Sequence, residues 1–227
     1  VAVSAPLAGS LPTGLIALPG VYQPQGDTRL LAAALQREEV EPRARVLEIG
    51  TGTGALALQA ASRGARVTAV DVSWRAVATA RLNAGRRRLP LHVVHGDFET
   101  ATAGHHYDLI ISNPPYVPAP GDLPTSGPER AWDAGPDGRA VIDRICQQAP
   151  ALLNPGGALL MVHSGMCGVQ KSLDHLAAGG LHARVCARAD VPWGPVLRSR
   201  QTWLQRQGFA SGPEELEELV VIRAHAL

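Results

Sequence analysis

From about residue 27 the chain alternates two periodicities, and that alternation restricts its fold more than any other feature. Short apolar runs, each stopped by a glycine, an acid or a proline, are separated by stretches whose apolar residues recur at helical spacing. Arg45-Val46-Leu47-Glu48-Ile49 runs into glycines, Arg66 to Asp71 ends in an acid, Leu91 to Val94 precedes a Gly-Asp turn, and Tyr107 to Ile111 precedes paired prolines. Further strands are predicted over Gly157–His163, Leu181–Ala189 and Glu218–Ala224. Helices are predicted from Asp27, read as an N-cap, to Leu35, and over Ala55–Arg63, from Ser73 to about Asn83, and near Val169–Ala178. Another spans Arg139–Leu153, where Pro150 should bend or end it, and an added helix is expected near residues 196–207. Strands alternating with helices of this size build a mostly parallel sheet covered on both faces. The expectation is an α/β fold with a seven-stranded, Rossmann-like sheet: residues 1–26 form a partly irregular N-terminal segment and 27–227 a single domain.

Composition narrows the functional classes. A chain of 227 residues with 45% hydrophobic residues suits one compact domain and excludes a disordered chain. Its basic residues are all arginine except Lys171, and against the acids they leave a net charge of +1. No global field therefore favours nucleic acid or an anionic membrane, and the arginine bias reads as compositional. Cys146, Cys167 and Cys186 are odd in number and widely spaced, which argues against a disulfide scaffold and against a zinc knuckle. Residues 1–20 are apolar, but they have no basic start and are interrupted by Pro6, Pro12 and Pro19, so a secretion signal is not expected. No stretch has the apolar length of a membrane helix. A cytoplasmic protein with no metal centre and no membrane partner is expected.

The chemistry falls at the predicted strand ends, where an open parallel sheet binds ligands. After the first strand comes Glu48-Ile49-Gly50-Thr51-Gly52-Thr53-Gly54, glycines that let the backbone turn sharply and approach a ligand. The spacing is G-x-G-x-G rather than G-x-G-x-x-G, which weakens a dinucleotide reading. Twenty-one residues after Gly50 the second strand ends in Asp71, placed to accept both hydroxyls of a ribose. Asp97 is placed to accept an adenine amino group while Phe98 covers the ring. The fourth strand ends in Ser112-Asn113-Pro114-Pro115-Tyr116, the most specific feature of the chain. The prolines fix φ and remove two N–H donors while leaving their carbonyls free. The Asn113 side-chain oxygen and a proline carbonyl can converge on one NH₂ group, and Tyr116 offers a face for a planar substrate.

These residues resemble the motif set of class I S-adenosylmethionine-dependent methyltransferases that act on planar nitrogen. Val21-Tyr22-Gln23-Pro24-Gln25-Gly26-Asp27-Thr28 and Glu129-Arg130-Ala131-Trp132-Asp133-Ala134-Gly135-Pro136-Asp137-Gly138 narrow the resemblance to the short branch of HemK-type protein-glutamine N5-methyltransferases. The resemblance implies that Thr28, Glu48, Gly50, Gly52, Asp71, Asp97, Phe98 and Asn113 bind S-adenosyl-L-methionine. It also implies that Asn113, Pro114, Pro115 and Tyr116 hold the substrate glutamine, with Asn113, Pro114 and Tyr116 as the catalytic set. That glutamine lies in the Gly-Gly-Gln loop of a class 1 peptide-chain release factor. Some lineages add a small zinc-binding activator subunit, for which an exposed strand edge near Val93-Val94 would be suggestive. An N6-adenine or other base-amino methyltransferase would use the same acceptors, but near-neutral charge and one compact domain count against nucleic acid. A non-catalytic cofactor-binding subunit is opposed by the intact Asn-Pro-Pro-Tyr segment. The remaining conspicuous residues read as structural: His105-His106 as solvated, Glu214 to Glu218 as a solvated edge, and Trp193 and Trp203 as core or groove wall. None of the arginines belongs to the site motifs.

Overall fold

The computed structural model describes residues 3–4, 11–210 and 216–226. In chain order the elements are β1 (Val3–Ser4), α1 (Gly26–Arg37), β2 (Arg45–Ile49), α2 (Ala55–Ser62), β3 (Arg66–Asp71), α3 (Trp74–Arg87), β4 (Leu91–His95), α4 (Phe98–Ala101) and β5 (Tyr107–Ser112). They continue as α5 (Ala140–Leu152), β6 (Leu153–Ser164), α6 (Val169–Ala178), β7 (His182–Pro192), α7 (Pro195–Ser199), α8 (Gln201–Arg206) and β8 (Leu216–His225). The strands form one sheet in the order β1-β7-β8-β6-β5-β2-β3-β4. All pair in parallel except β8, which runs against both of its neighbours.

The seven expected strands are present, and the two-residue β1 adds an eighth at the β7 edge. Beyond residue 152 the strands are longer than their apolar runs suggest, because backbone pairing carries β7 and β8 out to Pro192 and Leu216. The helix expected near 196–207 is two short helices that meet at Arg200. Pro150 lies inside the last turn of α5, and the helix stops two residues beyond it at Leu152. Asp27 is not an N-cap: it sits within the first turn of α1, which starts from Gln25 without a side-chain cap.

The central strands are buried on both faces, so β2 is buried continuously from Val46 to Ile49, Glu48 included, rather than on alternate residues. Val46, Leu47, Ile110, Ile111, Leu159 and Leu160 form its middle layer, and Leu30, Leu31 and Leu35 of α1 and Ile142 and Ile145 of α5 pack onto it.

Order and register position the site. The strand sequence reverses between β2 and β5, which opens a crevice beyond their carboxyl ends. Ile49 pairs with Ser112 and with Val70, so the turn after β2, the segment after β5 and Asp71 meet at one edge of the sheet. The Ser112 hydroxyl ties β5 to β2 by donating to the Ile49 carbonyl at 3.0 Å. Gly54 closes the turn with φ at +79°, and a Cβ there would lie 3.2 Å from the Ala80 Cβ on α3. Gly54→Ala should therefore cost at least the ~1–2 kcal/mol of a left-handed alanine, read as a lower urea midpoint with an unchanged slope.

Candidate active site

A cavity of about 720 Å³ occupies the crevice, within the usual size range of small-molecule sites. Every candidate site residue named above borders it. One lining residue, Asp27, plays a larger part than the helix cap expected of it. Asp27 is buried and accepts five hydrogen bonds. Its Oδ1 receives the Thr28 backbone N–H at 2.5 Å and the Thr28 hydroxyl at 3.1 Å. Its Oδ2 receives the Tyr22 hydroxyl at 2.8 Å, Asn113 Nδ2 at 3.0 Å and the Tyr116 hydroxyl at 3.1 Å. One carboxylate thereby joins the start of α1, the segment before it and the Asn-Pro-Pro-Tyr segment after β5.

This network fixes the Asn113 amide. Nδ2 also reaches the Thr28 hydroxyl oxygen at 3.2 Å. The reverse orientation would set the amide oxygen against the Asp27 carboxylate, an acceptor facing an acceptor. Oδ1 is therefore the end of Asn113 available to a ligand. Tyr116 is buried, and its hydroxyl is committed to Asp27, so the residue braces the site as well as walling it. Periodicity could have revealed Asp27, since positions 27, 30, 31 and 34 share the buried face of α1.

The glycine turn and the acids at the strand ends are also organised. Gly50 and Gly52 have φ of +73° and +53°, so each needs a left-handed turn that glycine adopts without strain. Asp71 accepts the Gly52 N–H at 2.9 Å and the Ser73 N–H at 2.8 Å, which leaves one lone pair on each oxygen. Burial raises its pKa, while these amides, the Arg130 guanidinium and His95 oppose the rise. Glu48 is buried, and burial pushes it up to about 8 against hydrogen bonds from the Thr51 hydroxyl and the Ala57 and Leu56 amides. It anchors the turn to the N-terminus of α2.

Asp97 caps α4 through the Glu99 N–H, and Arg144 Nη2 lies 2.8 Å from both of its oxygens. One lone pair on Oδ2 remains open. Arg144 also bonds Glu99 at 2.8 Å and lies over the Phe98 ring, 5.0 Å from its centroid. The arginines are thus not absent from the site: Arg144 braces Asp97, and Arg130 borders the cavity within electrostatic reach of Asp71. No spacing in the sequence links residue 144 to residue 97.

Parts of 117–133 and 191–197 also line the cavity. Val117 bridges Asp133, whose two oxygens are held by Arg200 at 2.6 and 3.0 Å. Trp193 is buried with its indole N–H on the Leu216 carbonyl, while Trp203 is half-buried against Phe209. His105 and His106 are exposed, as expected. Glu214 and Glu215 lie outside the described residues, but Glu217 is not a solvated edge. It is buried and lines the cavity, on the same face of β8 as Leu219 and Val221. Among the described residues no cluster of His, Cys, Asp and Glu is disposed to hold a metal, and no helix is long and apolar enough to cross a membrane.

Sheet order, glycine turn and Asn-Pro-Pro-Tyr segment together define a Rossmann-like methyltransferase, and residues 13–122 match the Methyltransferase small domain family model. The chain is 34% identical over 188 residues to a protein of Methanocaldococcus jannaschii named as a protein N5-glutamine methyltransferase, covering 79% of this chain and 90% of that one. It belongs to the protein N5-glutamine methyltransferase family. A release factor glutamine methyltransferase of Bordetella pertussis is 41% identical over 155 residues, 64% of this chain. Here the match spans little more than half of the bacterial relative, 57%. Among solved structures, the E. cuniculi Mtq2–Trm112 complex, responsible for methylation of the eRF1 translation termination factor, contains a chain of the same fold. Its TM-score is 0.65 at 24% identity, covering 92% of this chain and 99% of that chain.

Tyr22, Tyr107 and Tyr116 all have pKa values raised above the ordinary 10, chiefly by burial, and Asp27 adds to the rise at Tyr22 and Tyr116. The folded protein holds these protons more tightly than the unfolded chain, so their contribution is complete below pH 10 and is lost as pH rises above it. In a spectrophotometric titration, the tyrosinate absorbance of Tyr22 and Tyr116 should therefore appear only together with alkaline unfolding.

Proposed function

We propose that the protein transfers a methyl group from S-adenosyl-L-methionine to the side-chain amide of the glutamine in the Gly-Gly-Gln loop of a class 1 release factor. The observation that carries this reading is the Asn113 amide, whose Nδ2 is held by Asp27 and Thr28 so that Oδ1 is the end left for a ligand, in a cavity that Pro114 also lines. These two acceptors suit the two N–H bonds of a primary amide. Tyr116 and Pro115 border the same corner and would hold its plane.

The residues fit the cofactor. Asp71 retains a lone pair on each oxygen for the ribose hydroxyls, and Asp97 keeps one for the adenine amino group, with Phe98 beside it. Gly50 and Gly52 bring the backbone close, while Thr28, Glu48 and Asn113 line the same cavity. The Asp27 carboxylate gives this wall the sign that suits a cation. When bound, S-adenosylmethionine supplies an electrophilic methyl group on a sulfonium.

The amide nitrogen is a poor nucleophile because its lone pair is delocalised into the carbonyl. Asn113 and Pro114 would hold its N–H bonds, aim the nitrogen, and stabilise the positive charge that develops there. Asp27 acts one step back by keeping Asn113 in the accepting orientation.

A protein substrate agrees with a net charge of +1 and with a cavity mouth that includes Leu123, Pro124, Trp132 and Val196. This reading places the reaction in the cytoplasm, where peptide release takes place. A small activator, zinc-binding where lineages have one, belongs to the same reading. β4 is the edge strand opposite β1, and beside it Trp74 is exposed and stacked on His95 with centroids 4.1 Å apart. A strand from a partner could add along that edge.

The test is mass spectrometry after incubation with labelled cofactor and a class 1 release factor. One methyl on the Gly-Gly-Gln glutamine is expected, whereas label in nucleic acid or on another residue would refute the reading. Asn113→Ala should abolish transfer while leaving S-adenosylhomocysteine binding weakened but measurable by calorimetry.

A further inference from the structure

Six carboxylates line the cavity: Asp27, Glu48, Asp71, Asp97, Asp133 and Glu217. Five are engaged by donors of the protein. Asp27, Asp71, Asp97 and Asp133 have both oxygens bonded, and Glu48 is held by Thr51 and the first amides of α2. Glu217 differs. It bonds with the Ser164 side chain, but its Oε1 is buried without a hydrogen-bond partner. A buried acceptor left open is costly, and native structures keep few of them without a functional reason.

Its surroundings point to that reason. Glu217 interacts electrostatically with Tyr22, Asp27 and Tyr116, the groups that hold the Asn113 amide. It therefore borders the corner of the cavity where the substrate amide is read. The other acceptors there are occupied or neutral: Asp27 already receives five donors, and Asn113 and Pro114 offer only neutral carbonyls.

We propose that Glu217 is the proton acceptor of the reaction, taking onto Oε1 the proton that the substrate amide sheds when it is methylated. This rests on the glutamine-amide reading above. The nitrogen's electron pair forms the bond to the incoming methyl carbon, whose bond to sulfur breaks with the pair kept by sulfur. The nitrogen is then positive; one N–H bond breaks, its pair stays on nitrogen, and the proton adds to a lone pair of Oε1. A neutral N-methyl amide and a neutral carboxylic acid result, and the acid returns its proton to water as the product leaves.

Burial raises Glu217 to about 7, the Ser164 hydrogen bond opposes the rise, and the charge of Asp27 adds to it. The titratable groups facing it are Tyr22 and Asp27 at the approach to α1, Tyr116 after β5, and Cys167 after β6. A carboxyl poised there is ionised and able to accept above about pH 7 and is spent below it.

Glu217→Gln preserves shape and the Ser164 contact but cannot take a proton. Its kcat for release-factor methylation should fall on the order of 10²-fold, while KM, melting temperature and S-adenosylhomocysteine affinity by calorimetry stay unchanged. The native kcat should rise with pH through an inflection near 7, and that inflection should vanish in the variant. Ser164→Ala removes a hydrogen bond that favours the carboxylate, so it should move the inflection to higher pH. Native kcat and inflection in E217Q would overturn the proposal, as would loss of kcat accompanied by loss of cofactor affinity. Should E217Q fail to fold, an unmoved inflection in S164A overturns it. Native enzyme that methylates nothing on the release factor defeats the glutamine reading and this proposal together, whereas active native enzyme with an indifferent E217Q defeats this one alone.

Discussion

The site depends on one buried carboxylate. Asp27 gathers two tyrosine hydroxyls, a threonine, a backbone amide and an asparagine, and every one of these donors is neutral. A buried charge satisfied by neutral donors stays a net charge, whereas an ion pair would cancel it. It therefore does two things at once. It gives this wall of the cavity a sign, and it decides which end of Asn113 faces a ligand. The remaining parts of the corner, including the braced Tyr116 and the open oxygen of Glu217, are arranged around it.

The sheet makes that gathering possible. Parallel registers set Ile49 beside Ser112 and Val70, so three turns that follow three strands open onto one edge, and side-chain bonds from Ser112 and Asp71 secure them there. The strand that runs the other way, β8, brings Glu217 up to the same edge from the opposite direction. Parallel strands thus deliver backbone turns and carboxyl ends, and the antiparallel strand delivers a residue near its own start.

Much of this was legible in the sequence, because the signals were local. The G-x-G-x-G turn, the acids at strand ends and the paired prolines each declare a backbone conformation within a few residues. What escaped the reading was mostly what depends on pairing across the fold. Arg144 meets Asp97 only because α5 packs near the end of β4. Glu217 looked solvated inside a run of acids, although its parity with Leu219 and Val221 marks the inward face of a strand. Asp27 looked like a helix cap because capping is the common role of an aspartate there. Its helical phase with Leu30, Leu31 and Ala34 was the better guide.

The span of sequence gathered at Asp27 has a kinetic meaning. The glycine turn, Asp71 and Asn113 lie within residues 50–113, at the ends of strands β2, β3 and β5, with β2 paired to both of the others. Glu217 is 190 residues from Asp27, and its strand closes against β6 and β7 only when most of the chain is in place. Loop-closure entropy makes such distant contacts late ones. The part of the crevice proposed for the cofactor is thus built to close before the wall proposed for the substrate.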